Sequence, residues 1–223
     1  MSTLTLLRHG QASFGADRYD ALSDRGREQA ILVGEHFASR GRRFDRLWIG
    51  PRDRHRLTAR HALEPLGVDW QGEAEPALNE FAEGQQILAS AERRGVKLRG
   101  EGAVRGKEAA RYYAQEITAW AEAQVDIDGV PHVREFRRVV AEWLGRATAS
   151  VPAGQSVLAV TSGGVVAAVM AEVLGLADAS VAPLMHAIYN GSLTELVFAD
   201  GRAPSLVSFN VASFLPDGLL TRV

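Results

Sequence analysis

The sequence contains no cysteine in its 223 residues. This excludes disulfide bonds, thiol catalysis and thiolate metal sites, although a chain without cysteine suits either redox compartment. The sequence also lacks an excess of charge of one sign, since its formal net charge is -2. Non-specific nucleic-acid binding depends on a broad positive excess, so we expect no nucleic-acid partner.

Long apolar segments are absent as well. The chain reaches Arg8 and His9 too early for the apolar region of a signal peptide, and no stretch approaches the length of a membrane span. We therefore expect a cytoplasmic protein with no membrane partner. Its composition of 46% hydrophobic and 23% charged residues is typical of a packed globular protein. The length fits a single domain over residues 1–223.

Strand-like and helix-like spacings of apolar residues alternate along the chain. Predicted strands cover residues 3–7, 44–49, 156–160, 192–199 and 205–209, and predicted helices cover residues 24–40, 59–66, 107–123, 133–149 and 166–174. The initial order of strand, helix, strand and helix favours a parallel sheet covered by helices. We therefore expect an α/β fold with a mostly parallel central sheet.

The middle of the chain loses this regularity between about residues 69 and 106. We interpret it as an insertion over the sheet, forming a lid over about residues 69–130. The basic side chains in it could recognise the remainder of an anionic substrate, but a solvated surface is the simpler interpretation. These residues are Arg93, Arg94, Lys97, Arg99, Arg105 and Lys107.

Three loops that follow predicted strands carry residues suited to phosphate. Loops beyond the carboxyl ends of parallel strands lead into helix N-termini, whose free N–H groups attract anions. Guanidinium groups bind phosphate oxygens, an imidazole can attack phosphorus, and a glycine pair lets backbone amides approach the anion. The loops are Arg8-His9-Gly10, Pro51-Arg52-Asp53-Arg54 and Thr161-Ser162-Gly163-Gly164. Together they predict a phosphate pocket.

Two motifs in this sequence resemble those of the histidine phosphatase superfamily, the phosphoglycerate mutase-like proteins. One is Leu7-Arg8-His9-Gly10, and the other is a Leu-[Ser/Thr]-x-x-Gly-x-x-Gln-Ala helix start at residues 22–30. Taken jointly, the two motifs are specific. The resemblance covers the first and last thirds of the chain well and the middle poorly. It continues through Pro51, Arg54, Thr58-Ala59, Leu78-Asn79-Glu80 and Asn190-Gly191-Ser192.

The resemblance implies a three-layer α/β/α sandwich and a phosphomonoester hydrolase with a phosphohistidine intermediate. His9 would attack the phosphoryl group, and Arg8 and Arg54 would hold its oxygens. Glu80 would protonate the leaving group, with Glu83 as a rival acid. The implied ligand is a phosphorylated small molecule or inorganic phosphate, with no metal and no cofactor. A homodimer remains a possible assembly.

Two residues depart from the family pattern. Ser162 stands where the family has a second histidine, and Gly50 replaces a loop serine. A hydroxyl group at residue 162 can still donate one hydrogen bond to a phosphoryl oxygen, but it supplies no positive charge. By analogy with the loss of one transition-state donor, the rate would fall on the order of 100- to 1,000-fold. We expect Ser162 and Gly163 to contact phosphate, although an ordinary turn is an equal alternative for Ser162.

These departures leave three functions open. The first is a slow or specialised phosphatase, the second a non-catalytic phosphate-ligand sensor, or pseudophosphatase, and the third a phosphomutase. Ser162 favours the sensor. The other histidines lack metal-ligand spacing and are assigned to helix surfaces or the core, with His186 as a conceivable replacement for the missing histidine. They are His36, His55, His61, His132 and His186.

Overall fold

The computed structural model describes residues 1–13, 20–68, 72–97, 102–199 and 202–222. Within these residues six strands form one sheet, in the order β3-β2-β4-β1-β5-β6. The strands are β1 (Ser2–Arg8), β2 (Arg46–Ile49), β3 (Glu73–Ala74), β4 (Ser156–Thr161), β5 (Leu193–Phe198) and β6 (Ser205–Val211). The first four pair in parallel, and β5 and β6 run antiparallel to their neighbours. The predicted mostly parallel sheet is confirmed.

Helices cover both faces of this sheet. They are α1 (Asp24–Ser39), α2 (Asp53–Leu63), α3 (Gly84–Arg93), α4 (Gly106–Ala121), α5 (Val133–Ser150), α6 (Gly163–Val173) and α7 (Val181–Ala187). Side chains alternate along a strand, so β1 sends Leu7 into a core with α1 and α2, and Leu4 and Leu6 into a core with α5 and α6. This arrangement is the three-layer α/β/α sandwich.

Local sequence explains where the layers begin. Ser23 caps α1, because its Oγ accepts a hydrogen bond from the backbone N–H of Gly26 at 3.0 Å. Helix α6 is apolar on every side, and residues 163–171 are all buried. A helix of this kind must be packed on all sides, and the sheet, α5 and α7 provide these contacts.

The middle of the chain is more regular than the sequence suggested. Helix α3 was expected to be irregular, yet Glu83 and Gln86 form a capping box at its start, and Ile87 and Ala91 bury its inner face. Helix α7 was also missed, because it spans only seven residues. Arg99, one of the basic residues of the predicted lid, lies outside the described residues.

A helix that crosses a lipid bilayer must be both long and apolar. Across the described parts of the chain, no helix is both long and apolar enough to cross a membrane.

Candidate active site

The carboxyl ends of three neighbouring strands lie level at one edge of the sheet. Arg8 of β1 pairs with Thr161 of β4, and Ile49 of β2 pairs with Val160 of β4. The segments that follow these strands therefore bring their side chains to one place, as expected for a parallel sheet. The three phosphate-binding segments predicted from the sequence meet there.

His9 follows β1, and its ring is held in one tautomer by its two partners. Its Nδ1 lies 2.7 Å from the carbonyl oxygen of Gly10, which can only accept, so Nδ1 carries the proton. Its Nε2 accepts a hydrogen bond from Nε of Arg54 at 3.1 Å and therefore offers a lone pair. Burial, followed by the charges of Arg54, His55 and Arg8, lowers the pKa of His9 well below 6.5. At neutral pH His9 is an uncharged imidazole with Nε2 facing the site.

Arg8 lies buried beside this imidazole. One of its terminal nitrogens donates to the carbonyl oxygen of Ile188, and burial lowers its pKa to about 10, so it stays charged at neutral pH. Its Nε is buried and has no hydrogen-bond partner among the described residues. A Cβ atom added at Gly163 would come within 3.2 Å of that Nε. The bare backbone at residue 163 therefore allows this donor to reach the start of α6.

Arg54 occupies the first turn of α2 and is 5% exposed. While its Nε donates to His9, its Nη1 donates to Oδ1 of Asp20 at 2.9 Å. The other oxygen of Asp20 accepts the backbone N–H of Asp53 at 2.7 Å. Asp20 is a site residue that the sequence analysis missed, since no motif singles it out.

Backbone contacts fix the position of His9. The amide N–H of Gly10 donates to Oγ1 of Thr58 at 3.0 Å, and Nδ2 of Asn190 donates to the carbonyl oxygen of His9 at 3.2 Å. The N–H of Gly191 donates to the carbonyl oxygen of Arg8 at 3.1 Å. Thr58, Asn190 and Gly191 belong to the motifs that carry the family resemblance, and here they hold the loop after β1.

Glu80 reaches the start of α6. Its Oε2 accepts the backbone N–H of Gly164 at 3.2 Å, and its Oε1 accepts the N–H of Phe81 at 3.1 Å. Its negative charge acts on Arg8, so the carboxylate lies at the same edge. Glu83, the rival acid, forms an ion pair with Arg52 and caps α3. The geometry favours Glu80 as the carboxylate of the site.

Ser162 follows β4 and is fully buried. Its Oγ lies 2.7 Å from Nε2 of His55, whose ring centre is 5.5 Å from that of His9. From the sequence, His55 was expected on a helix surface or in the core. The structure places it in the site. No spacing rule could have found it, because the contact joins residues 107 positions apart.

The remaining histidines lie elsewhere. His186 lies on α7, and burial, together with the charge of Arg8, lowers the pKa of His186. The histidine that contacts Ser162 is nevertheless His55. The other three make local contacts: His36 stacks on Phe214, His61 lies 3.7 Å from Glu64, and His132 caps α5.

Two of the basic residues in the middle of the chain form ion pairs. Arg93 pairs with Asp128, and Arg94 pairs with Glu116 at 3.3 Å. These pairs tie α3 to the loop before α5 and to α4.

A family model described as the histidine phosphatase superfamily (branch 1) matches residues 4–94 and 99–212. The two segments span most of the chain and include every site residue named above. No curated protein matches this chain.

Several solved structures share the fold. A histidine-to-alanine mutant of phosphoserine phosphatase from Entamoeba histolytica, in complex with phosphoserine, is 17% identical with a TM-score of 0.67, over 97% of this chain and 100% of its own. A putative alpha-ribazole-5'-P phosphatase from Escherichia coli is 19% identical with a TM-score of 0.67, over 95% and 98%. A mycobacterial glucosyl-3-phosphoglycerate phosphatase in complex with VO3 is 22% identical with a TM-score of 0.66, over 94% and 99%.

Proposed function

The chain belongs to the histidine phosphatase superfamily, and from this premise we propose that it hydrolyses phosphomonoesters through a phosphohistidine at His9. The observation that carries the proposal is the neutral His9 imidazole, whose Nε2 lone pair faces two buried guanidinium groups. A nucleophile must be unprotonated to attack, and a phosphate dianion needs fixed positive charge to enter a buried site.

The first step forms a bond from Nε2 of His9 to phosphorus and breaks the bond from phosphorus to the ester oxygen. Arg8 and Arg54 hold the non-bridging oxygens, whose charge dominates a largely dissociative transition state. The leaving oxygen takes a proton from Glu80, which acts as the general acid. The products are the free alcohol and a phosphoryl group on His9.

The second step reverses the roles of the acid. Water attacks phosphorus, Glu80 takes one of its protons, and the bonding pair returns to Nε2 of His9. Inorganic phosphate leaves, and both residues are restored. We assign the role of acid and base to Glu80 because it lies at the N-terminus of α6 beside Arg8, whereas Glu83 is already paired with Arg52.

Arg54 must release both of its partners when substrate reacts, because its Nε occupies the Nε2 lone pair of His9 that attacks phosphorus. The carboxylate of Asp20 contacts both Nη1 of Arg54 and the first amide of α2. A phosphoryl oxygen can accept hydrogen bonds from the same two donors, since both favour an anion. We propose that the substrate competes with Asp20 for them.

The ligand class is a small phosphorylated molecule. The phosphoserine phosphatase that shares this fold holds phosphoserine, a phosphomonoester of this kind. Residues from about 69 to 130 are proposed as the cover of the site, because α3 packs on α4 and α4 packs on α7, which follows α6.

A non-catalytic phosphate sensor is the second candidate, and Ser162 is the observation that favours it. A sensor would use Arg8, Arg54 and the start of α6 to bind phosphate without turnover. It would need neither the unprotonated Nε2 of His9 nor the position of Glu80.

The two candidates are separated by turnover of 4-nitrophenyl phosphate together with binding of inorganic phosphate. We expect turnover by the native chain and a loss on the order of 1,000-fold or more in His9→Ala, because the nucleophile is gone. His61→Ala is the matched control, since His61 lies near the far end of α2 and pairs with Glu64. Phosphate binding by a native chain without turnover would establish the sensor instead.

A further inference from the structure

The two departures from the family pattern meet at one side chain. Gly50 takes the place of a loop serine, Ser162 takes the place of a histidine, and between them lies the His55 ring. His55 and Ser162 are fully buried, and their polar atoms are 2.7 Å apart.

Gly50 provides the space for this ring. A Cβ atom at residue 50 would overlap Nδ1 and Cε1 of His55, and it would also come within 2.6 Å of the carbonyl oxygen of Leu78. The carbonyl belongs to the backbone and cannot move aside cheaply. A serine at residue 50 and the observed His55 ring therefore exclude each other.

Ser162 has given up its usual local partner. It occupies the N-cap position of α6 with extended backbone, where a serine hydroxyl ordinarily accepts an N–H from the first turn. Within the described residues its side chain makes no such capping bond. The N–H of Gly164 in that turn donates to Glu80 instead, and the Ser162 hydroxyl group contacts His55.

The pair lies beside the proposed nucleophile and the anion-binding donors. The His55 ring centre is 5.5 Å from that of His9, and the residue after Ser162 approaches the unpartnered Nε of Arg8. A phosphoryl group between His9 and Arg8 would therefore lie next to the hydroxyl of Ser162.

We propose that His55 and Ser162 together replace the family's second histidine, with the imidazole on α2 acting through the hydroxyl at the end of β4. This inference rests on the proposed phosphatase function. When substrate is bound, Nε2 of His55 donates to Oγ of Ser162, and the Ser162 hydroxyl donates to a phosphoryl oxygen. Ser162 is then a catalytic residue, and His55 is a positioning residue that fixes the direction of the hydroxyl proton.

The direction of that proton decides whether Ser162 helps or hinders. If Nε2 accepted the hydroxyl proton, only oxygen lone pairs would face the phosphate and would repel it. The negative charge of the phosphoryl group favours the opposite arrangement, in which both hydrogen bonds point toward the anion. A glutamine at residue 55 can offer an N–H near the position of Nε2, whereas a leucine fills the space without one.

The test compares His55→Leu, His55→Gln, Ser162→Ala and the double variant His55→Leu with Ser162→Ala. The readouts are kcat and KM for 4-nitrophenyl phosphate and the Kd of inorganic phosphate. We expect His55→Leu and Ser162→Ala each to lower kcat about 100-fold with much smaller changes in KM, as for loss of one transition-state donor. The double variant loses no more than Ser162→Ala, because the two residues act as a unit. His55→Gln recovers about tenfold of the loss, since it restores an N–H donor near the position of Nε2 but not the geometry of the ring.

A transplant provides an independent arm. Ser162→His alone should impair the enzyme, because the new ring competes with His55 for space. Combining it with His55→Ala frees that space and should raise kcat at least about tenfold above Ser162→His alone, the value of one restored hydrogen bond to a charged group. His61→Leu is the control for replacing a histidine on the same helix.

Three results would overturn the inference while leaving the phosphatase intact: native kcat in His55→Leu, losses that multiply in the double variant, or higher activity in Ser162→His alone than in the native chain. If the native chain has no turnover, the proposed function fails, and the pair is judged by phosphate binding. A several-fold rise in Kd in both His55→Leu and Ser162→Ala would then support the pair, and an unchanged Kd would refute it.

Discussion

At the scale of single residues, the site places positive charge around uncharged imidazole. Arg8 and Arg54 are at most 8% exposed, and burial and the charge of Arg54 lower the pKa of both His9 and His55. Two guanidinium groups in a buried site repel each other and are poorly solvated. A phosphate dianion relieves both costs, and it competes for Arg54 with Asp20, the carboxylate that pairs with it.

The lowered pKa of His9 predicts a pH dependence of stability. The unfolded chain binds a proton at this histidine below about pH 6.5, whereas the folded chain does not until a much lower pH. The folded pKa is depressed, so the contribution of His9 is present above pH 6.5 and is lost as the pH falls toward the folded pKa. Between pH 7.5 and 5.5 the free energy of unfolding should fall on the order of 1 kcal/mol further in the native chain than in His9→Ala.

Urea denaturation at the two pH values measures this difference directly. Comparing the two chains cancels the contributions of the other buried histidines. Parallel declines in the native chain and His9→Ala would mean that His9 is protonated equally in the folded and unfolded states. That result would contradict a His9 nucleophile that is kept neutral by the folded protein.

Motifs made the positions of Arg8, His9 and Arg54 predictable, whereas His55 and Asp20 could not be found. A motif records which residue type follows a strand, and strand ends converge by topology. The contact between His55 and Ser162 depends on how far α2 lies from β4, and on the missing side chain at Gly50. Neither the distance between α2 and β4 nor the space left at Gly50 can be read from the spacing of residues in the sequence.

At the scale of elements, the N-terminus of α6 holds Glu80 in place. Gly164 lies in the first turn, and a Cβ atom there would overlap Oε1 of Glu80. We expect Gly164→Ala to displace the carboxylate, because the end of a side chain moves more easily than a helix. Turnover of an alkyl phosphate, whose leaving group needs a proton, should fall about 100-fold. 4-Nitrophenyl phosphate has a good leaving group and should be affected much less.

Gly145→Ala on α5 is the matched control for this glycine. A Cβ atom there meets nothing within 4 Å, so the substitution should raise stability by about 0.5–1 kcal/mol and leave both activities unchanged. Equal losses on the two substrates in Gly164→Ala would contradict the role of Glu80 as a general acid.

The elements themselves were predictable where their apolar period was strong. The strands beginning at Ser2 and Ser156 and the helix beginning at Val133 fall within two residues of the prediction. Helix α3 was missed because its buried face is short and its ends are rich in charged and small residues. Its start is set by the capping box of Glu83 and Gln86, which precedes only a brief apolar pattern.

At the scale of the whole molecule, the sheet brings together side chains from widely separated parts of the chain. His9 follows β1, Arg54 follows β2, Glu80 follows β3, and Ser162 follows β4. Parallel pairing aligns the ends of these strands, and the helices on both faces keep them buried. The mostly parallel sheet was predicted from the alternation of strands and helices, and the three-layer sandwich from the family resemblance. The distances within the site come only from its packing.

The most direct test of the account is to find the phosphoryl group on the protein. The native chain would be mixed with 4-nitrophenyl phosphate, quenched in alkali during turnover, digested and analysed by mass spectrometry. The account predicts one phosphoryl group on His9 in the native chain and none in His9→Ala. Turnover without any phosphorylated His9, or with the phosphoryl group on another residue, would contradict it.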